Sequence, residues 1–245
     1  MHKTSFPFFP CVCVFGLLST GPLYGQAWER VSNEDGVVVE TREVPGQALP
    51  TFRGTATVAA PLLEVAAVID DVDRACQWTK RCVGSRRLQR ITDTDLLFYS
   101  RTSAPWPVQD RDAVMLGKVT GLAEARDVMI AFHTVRSPLQ PEVNGVVRMP
   151  RVRGHYRLTR LSDTATRVEF QVQADIGGWV PDSLAAMTSK TIPRDTLKGL
   201  RRQVSKMRGH YTDFLKKYQA PGAPATPSAP ATPGAAPAPV APAAP

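Results

Sequence analysis

Between Ala165 and Ile176 apolar and polar positions alternate: Val168, Phe170, Val172, Ala174 and Ile176 share one parity, Arg167, Glu169, Gln171, Gln173 and Asp175 the other. Period-two alternation marks a strand with one buried and one wet face. It stops at Gly177-Gly178, where a missing Cβ allows a sharp turn, and "WVPDS" then opens a helix, with Asp182 or Ser183 as its cap. Trp179 is expected to plug the end of the core. Strand-like runs precede it in close succession: "SRRLQRIT", "DLLFYSRT", "DRDAVMLGKVT", "RDVMIAFHTV" and "NGVVRMPRVRGHYRLTRL", with turn signals such as Asp93-Thr94 and Ser162-Asp163-Thr164. Consecutive short strands predict an antiparallel meander. A hairpin, "DGVVVETREV" and "TFRGTATV" about the turn cluster "PGQALP", opens the series.

Two segments follow the helical period instead. In "PLLEVAAVIDDVDRACQW" Pro61 suits a first turn, and Leu62, Val65, Ala66 and Ile69 recur at helical spacing. Near the C-terminus Leu197, Leu200, Val204, Met207, Tyr211, Phe214 and Tyr218 step by threes and fours, with Lys198, Arg201, Arg202, Lys206 and Lys216 between them. This predicts one long amphipathic helix whose apolar stripe must lie on the sheet. The fold class is α+β, a curved antiparallel sheet around a long C-terminal helix, and the gap between the two is an internal cavity.

The ends differ from this middle. Lys3, the apolar run "FPFFPCVCVFGLL" and the small residues of "YGQA" predict a cleavable signal peptide over residues 1–27, and hence a periplasmic or secreted protein. From residue 220 to 245 the chain is Pro, Ala, Gly, Thr and Ser apart from Val240, a composition that cannot bury enough surface to fold and predicts a disordered tail. One domain, 28–219, remains. A formal net charge of +8 suits an anionic partner, and outside the cytoplasm an anionic membrane surface, met transiently, fits better than nucleic acid. Export also permits a disulfide between Cys76 and Cys82. On one continuous helix their Cα atoms would lie on the order of 9 Å apart, so a bridge requires the helix to end near Trp78 to Lys80. Two buried free thiols are the other reading.

Candidate chemistry is sparse. His133, His155 and His210 are dispersed, no Cys or His pair has zinc spacing, and no nucleophile elbow occurs. The pattern implies neither a metal nor a cofactor. His155 alternates with Arg151, Arg153 and Arg157 on a wet face, whereas His133 falls in a mostly apolar strand and is expected to be a core residue. The row Arg148, Arg151, Arg153, Arg157, Arg160 and Arg167 suits either a solvated outer face or acidic headgroups. Asp110-Arg111-Asp112 opens a strand and is expected to be a surface ion-pair cluster that fixes a loop. Trp106, between two prolines, fits packing or a pocket wall.

In order and spacing, "SAPWPVQDRDAV", "SPLQPEVNGVVRM" and "ADIGGWVPDSLAAMTSKTIPRDTLKGLR" resemble the START family, the steroidogenic-acute-regulatory-related lipid-transfer domains, over nearly all of residues 28–218. The resemblance implies the helix-grip fold and a monomeric carrier, with one sterol, phospholipid or other apolar molecule between sheet and helix. Taken with periodicity, it puts Met115 and Phe132 on strands, and Leu184, Met187, Thr196, Leu200 and Val204 on the helix, toward that ligand. It also implies that residues 134–144 form the gate of the cavity, with Pro138, Leu139 and Pro141 meeting the helix, and Pro193 bending it. Some sterol-carrying members face an acid with an arginine inside the cavity. Here the matching positions are Tyr99 or Ser100 and Gly117, so that pair is missing or replaced by Arg101. A buried arginine without a partner is costly, so Arg101 either points outward or binds something anionic.

The leading expectation is a non-catalytic carrier that moves a lipid-like molecule between membranes. An enzyme of the wider helix-grip superfamily, a cyclase or hydrolase, is the alternative, and needs a convergent acid and base for which only His133, Tyr99 and Arg101 are at hand. A plain interaction module with a collapsed cavity is the third reading.

Overall fold

Asp35 and Gly36, both at positive φ, turn the chain between Glu29–Glu34 (β1) and Val37–Arg42 (β2), a tight hairpin whose twist suits the strands it joins. The computed structural model describes residues 27–45, 49–179 and 182–219, with the backbone alone for 182–190 and Gln219. The expected signal peptide, apart from Ala27, and the Pro/Ala tail lie outside these residues. β1 was not anticipated, because Glu29, Arg30, Asn33 and Glu34 give it almost no apolar side and it forms a sheet edge.

The remaining strands are Thr51–Val58 (β3), Cys82–Arg90 (β4), Asp95–Thr102 (β5), Asp110–Thr120 (β6), Asp127–Thr134 (β7), Val146–Arg148 (β8), Arg151–Ser162 (β9) and Ala165–Asp175 (β10). They form one curved sheet of ten strands in the order β1-β2-β3-β10-β9-β7-β6-β5-β4, with β8 paired to β6 off that path. All pairings are antiparallel except that of β8 with β6. The expected meander thus runs from β4 to β10, and β10 then pairs with β3. Within the meander, the single strand expected over residues 144–161 is two. It breaks at Met149-Pro150, since proline cannot continue a ladder, and β8 turns to pair with Asp110–Asp112.

On the concave face, Leu62–Asp70 (α1) is followed by a 3₁₀ helix, Val72–Gln77, and by Asp182–Lys206 (α2) with Pro193 inside it. The expected continuous C-terminal helix ends at Lys206. Gly209, at φ +73°, breaks it, and Thr212–Gln219 (α3) continues the apolar stripe toward α1. Leu197, Leu200 and Val204 are almost fully buried in a core with Val37, Val39, Val65, Leu158 and Val168. Polar clamps fix that half of α2: Arg201 donates to the carbonyls of Thr57 (2.9 Å), Gly36 (2.8 Å) and Asp35 (2.6 Å), and Arg208 to that of Ala59 (2.9 Å).

Candidate functional site

Among the described residues, α2 packs closely against the sheet over its C-terminal half. Beyond it lies a cavity of about 500 Å³ between the concave face, α1 with the 3₁₀ helix, and the middle of α2. Its wall is mainly apolar, with Phe98, Met115, Ile130, Phe132, Phe170 and Val172 prominent. Tyr156 stacks on Phe170 with ring centroids 4.6 Å apart, and burial pushes its hydroxyl well above the usual tyrosine range. The volume falls within the roughly 300–1,000 Å³ typical of ligand pockets.

Strand parity decides which residues reach this space. On β6, Arg111, Met115, Gly117 and Val119 face it; on β5, Leu96, Phe98, Ser100 and Thr102 do. Tyr99 and Arg101 are therefore on the outer face. There Arg101 donates to Asp110 at 2.7 and 2.9 Å, and this pairing holds the Asp110 carboxyl below the ordinary aspartate range. The expectation of Arg101 as a ligand contact is corrected, and of its two readings the outward one holds. Its place is taken by Arg111, which is 7% exposed and lines the cavity rather than joining a surface cluster. One guanidinium nitrogen donates to the Gln109 carbonyl; the other donates to that of Trp179 at 3.1 Å and, at 3.5 Å, to that of Gly177. Its Nε is buried with no partner, and burial lowers its pKa against the pull of Asp110. Asp112, on the opposite face, is held by Arg148 at 2.6 Å.

Of the other residues expected at the ligand, Met115, Phe132 and Thr196 line the cavity. Leu200 and Val204 do not: they point into the packed core one and two turns further along α2. Leu184 and Met187 lie outside the described side chains. Missed by sequence reasoning were Ile192 and Asp195, which share the cavity-facing side of α2, and the run Trp78 to Arg81. Cys76 and Cys82 are joined by a disulfide across that run, which follows from the 3₁₀ helix ending at Gln77. Lys80 is bonded to Asp195 at 2.9 Å. Burial would raise the Asp195 pKa, but Lys80 and Arg194 outweigh it and hold the carboxyl below its ordinary value.

Among the lining residues, Lys80, Arg81, Pro105 and Ile192 are the exposed ones, so the mouth lies between the disulfide loop, the β5–β6 loop and α2. Trp106, in the β5–β6 loop, is 93% exposed, and Trp179, after β10, is 69% exposed and plugs nothing. Both loops contribute to the wall through neighbouring residues such as Val108 and Ile176. Gly177 and Gly178, at φ +60° and +63°, make the turn that presents Trp179.

The segment 134–144 is elsewhere. Val135 packs with Leu97, Tyr99 and Val114 in a small cluster on the outer face. Gln140 is buried and bonded by Arg86, while Arg148 donates to the carbonyls of Gln140 (3.3 Å) and Pro141 (3.1 Å). Pro138, Leu139 and Pro141 are exposed and none of them is among the residues that line the cavity, so the expected gate forms no part of its described wall. The reason is topological: β8 pairs with the start of β6, and the segment leading to it must cross the outer face. His133 is likewise exposed on that face, not in the core. With Tyr99 and Arg101 it leaves the cavity without the three residues considered for acid and base work.

The sequence profile of the START domain matches residues 18–208. An uncharacterized protein of Pseudomonas aeruginosa is 31% identical over 193 residues, covering 79% of this chain and 93% of that protein. Among solved structures, a STAR-related lipid transfer protein from Xanthomonas axonopodis superposes with a TM-score of 0.66 at 31% identity, over 73% of this chain and 98% of the other. Human StAR-related lipid transfer protein 5 gives 0.64 at 22% identity, over 76% and 89%, and shares the fold. With the helix-grip architecture and its cavity in place, the chain belongs to the START domain family.

Proposed function

We propose that this protein binds one lipid or similar apolar molecule in the cavity between sheet and α2 and carries it between membranes, without covalent chemistry. The observation that carries the reading is the cavity itself, about 500 Å³ behind an apolar wall. Such a wall holds a ligand by area, each buried methylene contributing about 0.8 kcal/mol. The similarity to a solved STAR-related lipid transfer protein at 31% identity supports it. In this reading the protein works as an exported monomer, its leader directing it to the periplasm or beyond.

Contact with the membrane is made at the mouth. Trp106 and Trp179 stand exposed beside it, and indole rings favour the interface between headgroups and acyl chains. Lys80 and Arg81 on the same rim suit anionic lipid. Many of the surface arginines are already occupied, Arg148 with Asp112, Arg157 with Asp127 and Arg160 with Asp163. The test is native mass spectrometry of the protein purified from its own host, followed by vesicle-to-vesicle transfer of whatever co-purifies. A single stoichiometric apolar molecule that moves between vesicles is the expected result. A protein that neither carries nor acquires one from anionic vesicles would sink the proposal.

A further inference from the structure

We infer that the ligand has an anionic head, a carboxylate or phosphate on an apolar body, and that Arg111 receives it at the end of the cavity beside the Gly177–Trp179 turn. The inference rests on the carrier reading above and narrows its ligand class. A guanidinium has five N–H donors, and among the described residues Arg111 meets only backbone carbonyls, those of Gln109, Gly177 and Trp179. Carbonyl dipoles hold its orientation without neutralising its charge. Its neighbouring acids are committed to the other face, Asp110 to Arg101 and Asp112 to Arg148.

The cation therefore stands in a mainly apolar wall, 7% exposed, with Nε unpartnered. A buried charge without a counter-charge is unfavourable unless something else supplies one. Asp195, the other carboxylate on the wall besides Asp70, is held by Lys80 and Arg194, and Asp70 by Arg90 at 2.5 Å. An anionic head entering beside Arg111 would find a fixed cation with a free donor and no competing acid. The hydroxyls of Ser100 and Thr102 line the same strand ends, additional donors for its remaining oxygens.

The test compares oleate with oleyl alcohol, probes that share a chain and differ in the head, by calorimetric titration of the whole protein. The wild type should bind oleate about tenfold more tightly or better, as expected of a charge-assisted bond. Arg111→Met should bind the alcohol as before, which also shows that it folds, and lose the preference. Equal wild-type affinity for both probes would overturn the assignment while leaving the carrier reading intact; failure of both to bind would overturn the two together. Inorganic phosphate at millimolar concentration should not displace oleate, and displacement would mean a site for free anions instead of a lipid head. Carboxyl-labelled oleate gives a readout that needs no variant: beside Arg111 its bound carboxylate stays ionised to below about pH 5. A bound acid that takes up its proton above that range sits in apolar surroundings, and the inference fails.

Discussion

A methyl group at Gly199 would lie 2.0 Å from the carbonyl oxygen of Trp78. Because that oxygen is backbone, the 3₁₀ helix and α2 would have to part, and Gly199→Ala should cost about 1–3 kcal/mol, read as a lower urea midpoint at unchanged slope. Tyr156 offers a second measurement. Its pKa is raised by burial, so the folded state keeps a proton that the unfolded state gives up; the contribution is full below the unfolded value of about 10 and declines as pH rises beyond it. Ultraviolet titration should show this phenol ionising only together with loss of the near-ultraviolet signal of the folded protein. The exchange of Arg101 for Arg111 is also a matter of single residues. Period two was legible in both strands, and placing Met115 inward already implied Arg111 on the same face. What misled was the charge triplet, since Asp110-Arg111-Asp112 looks uniformly polar until alternation splits it between the two faces.

At the scale of elements, the disulfide closes a short loop in which Trp78 to Arg81 line the cavity. Replacing both cysteines by serine should cost about 2 kcal/mol by loop entropy and weaken ligand binding, measured by urea unfolding and by titration with the same lipid. Lys80 ties that loop to Asp195 on α2. Because the Asp195 pKa is depressed, as are those of Asp110 and Glu169, their contribution is present above the ordinary carboxylate range. It is lost as pH falls through the lower folded values, so the midpoint should drop below about pH 4. Most strands and both helical segments could be read from periodicity. Boundaries hidden from it were those set by single residues acting against the pattern, Pro150 in the strand and Gly209 in the helix. β1 escaped because an edge strand can be polar on both sides. The path of residues 134–144 was illegible for another reason: nothing local says that β8 will pair with β6.

For the whole molecule, the sheet holds the C-terminal half of α2 and leaves the cavity mouth bordered by Trp106 and Trp179. Trp106→Ala with Trp179→Ala should slow transfer between vesicles severalfold while leaving affinity for a soluble lipid probe nearly unchanged, since neither indole lines the cavity. An equal loss of both would place these rings in ligand binding. One contact ties the rim to the interior: the guanidinium of Arg111 reaches the carbonyl of Trp179, whose side chain stands outside. If the proposed carrier function holds, cargo and bilayer act on opposite ends of one turn, and linkage makes their effects on binding reciprocal. Whatever a docked Trp179 does to the grip on an anionic head, the head does equally to the grip of the protein on the bilayer. Loaded and empty protein would then hold a membrane with different affinities, giving a shuttle its direction from which surface holds the cargo in excess.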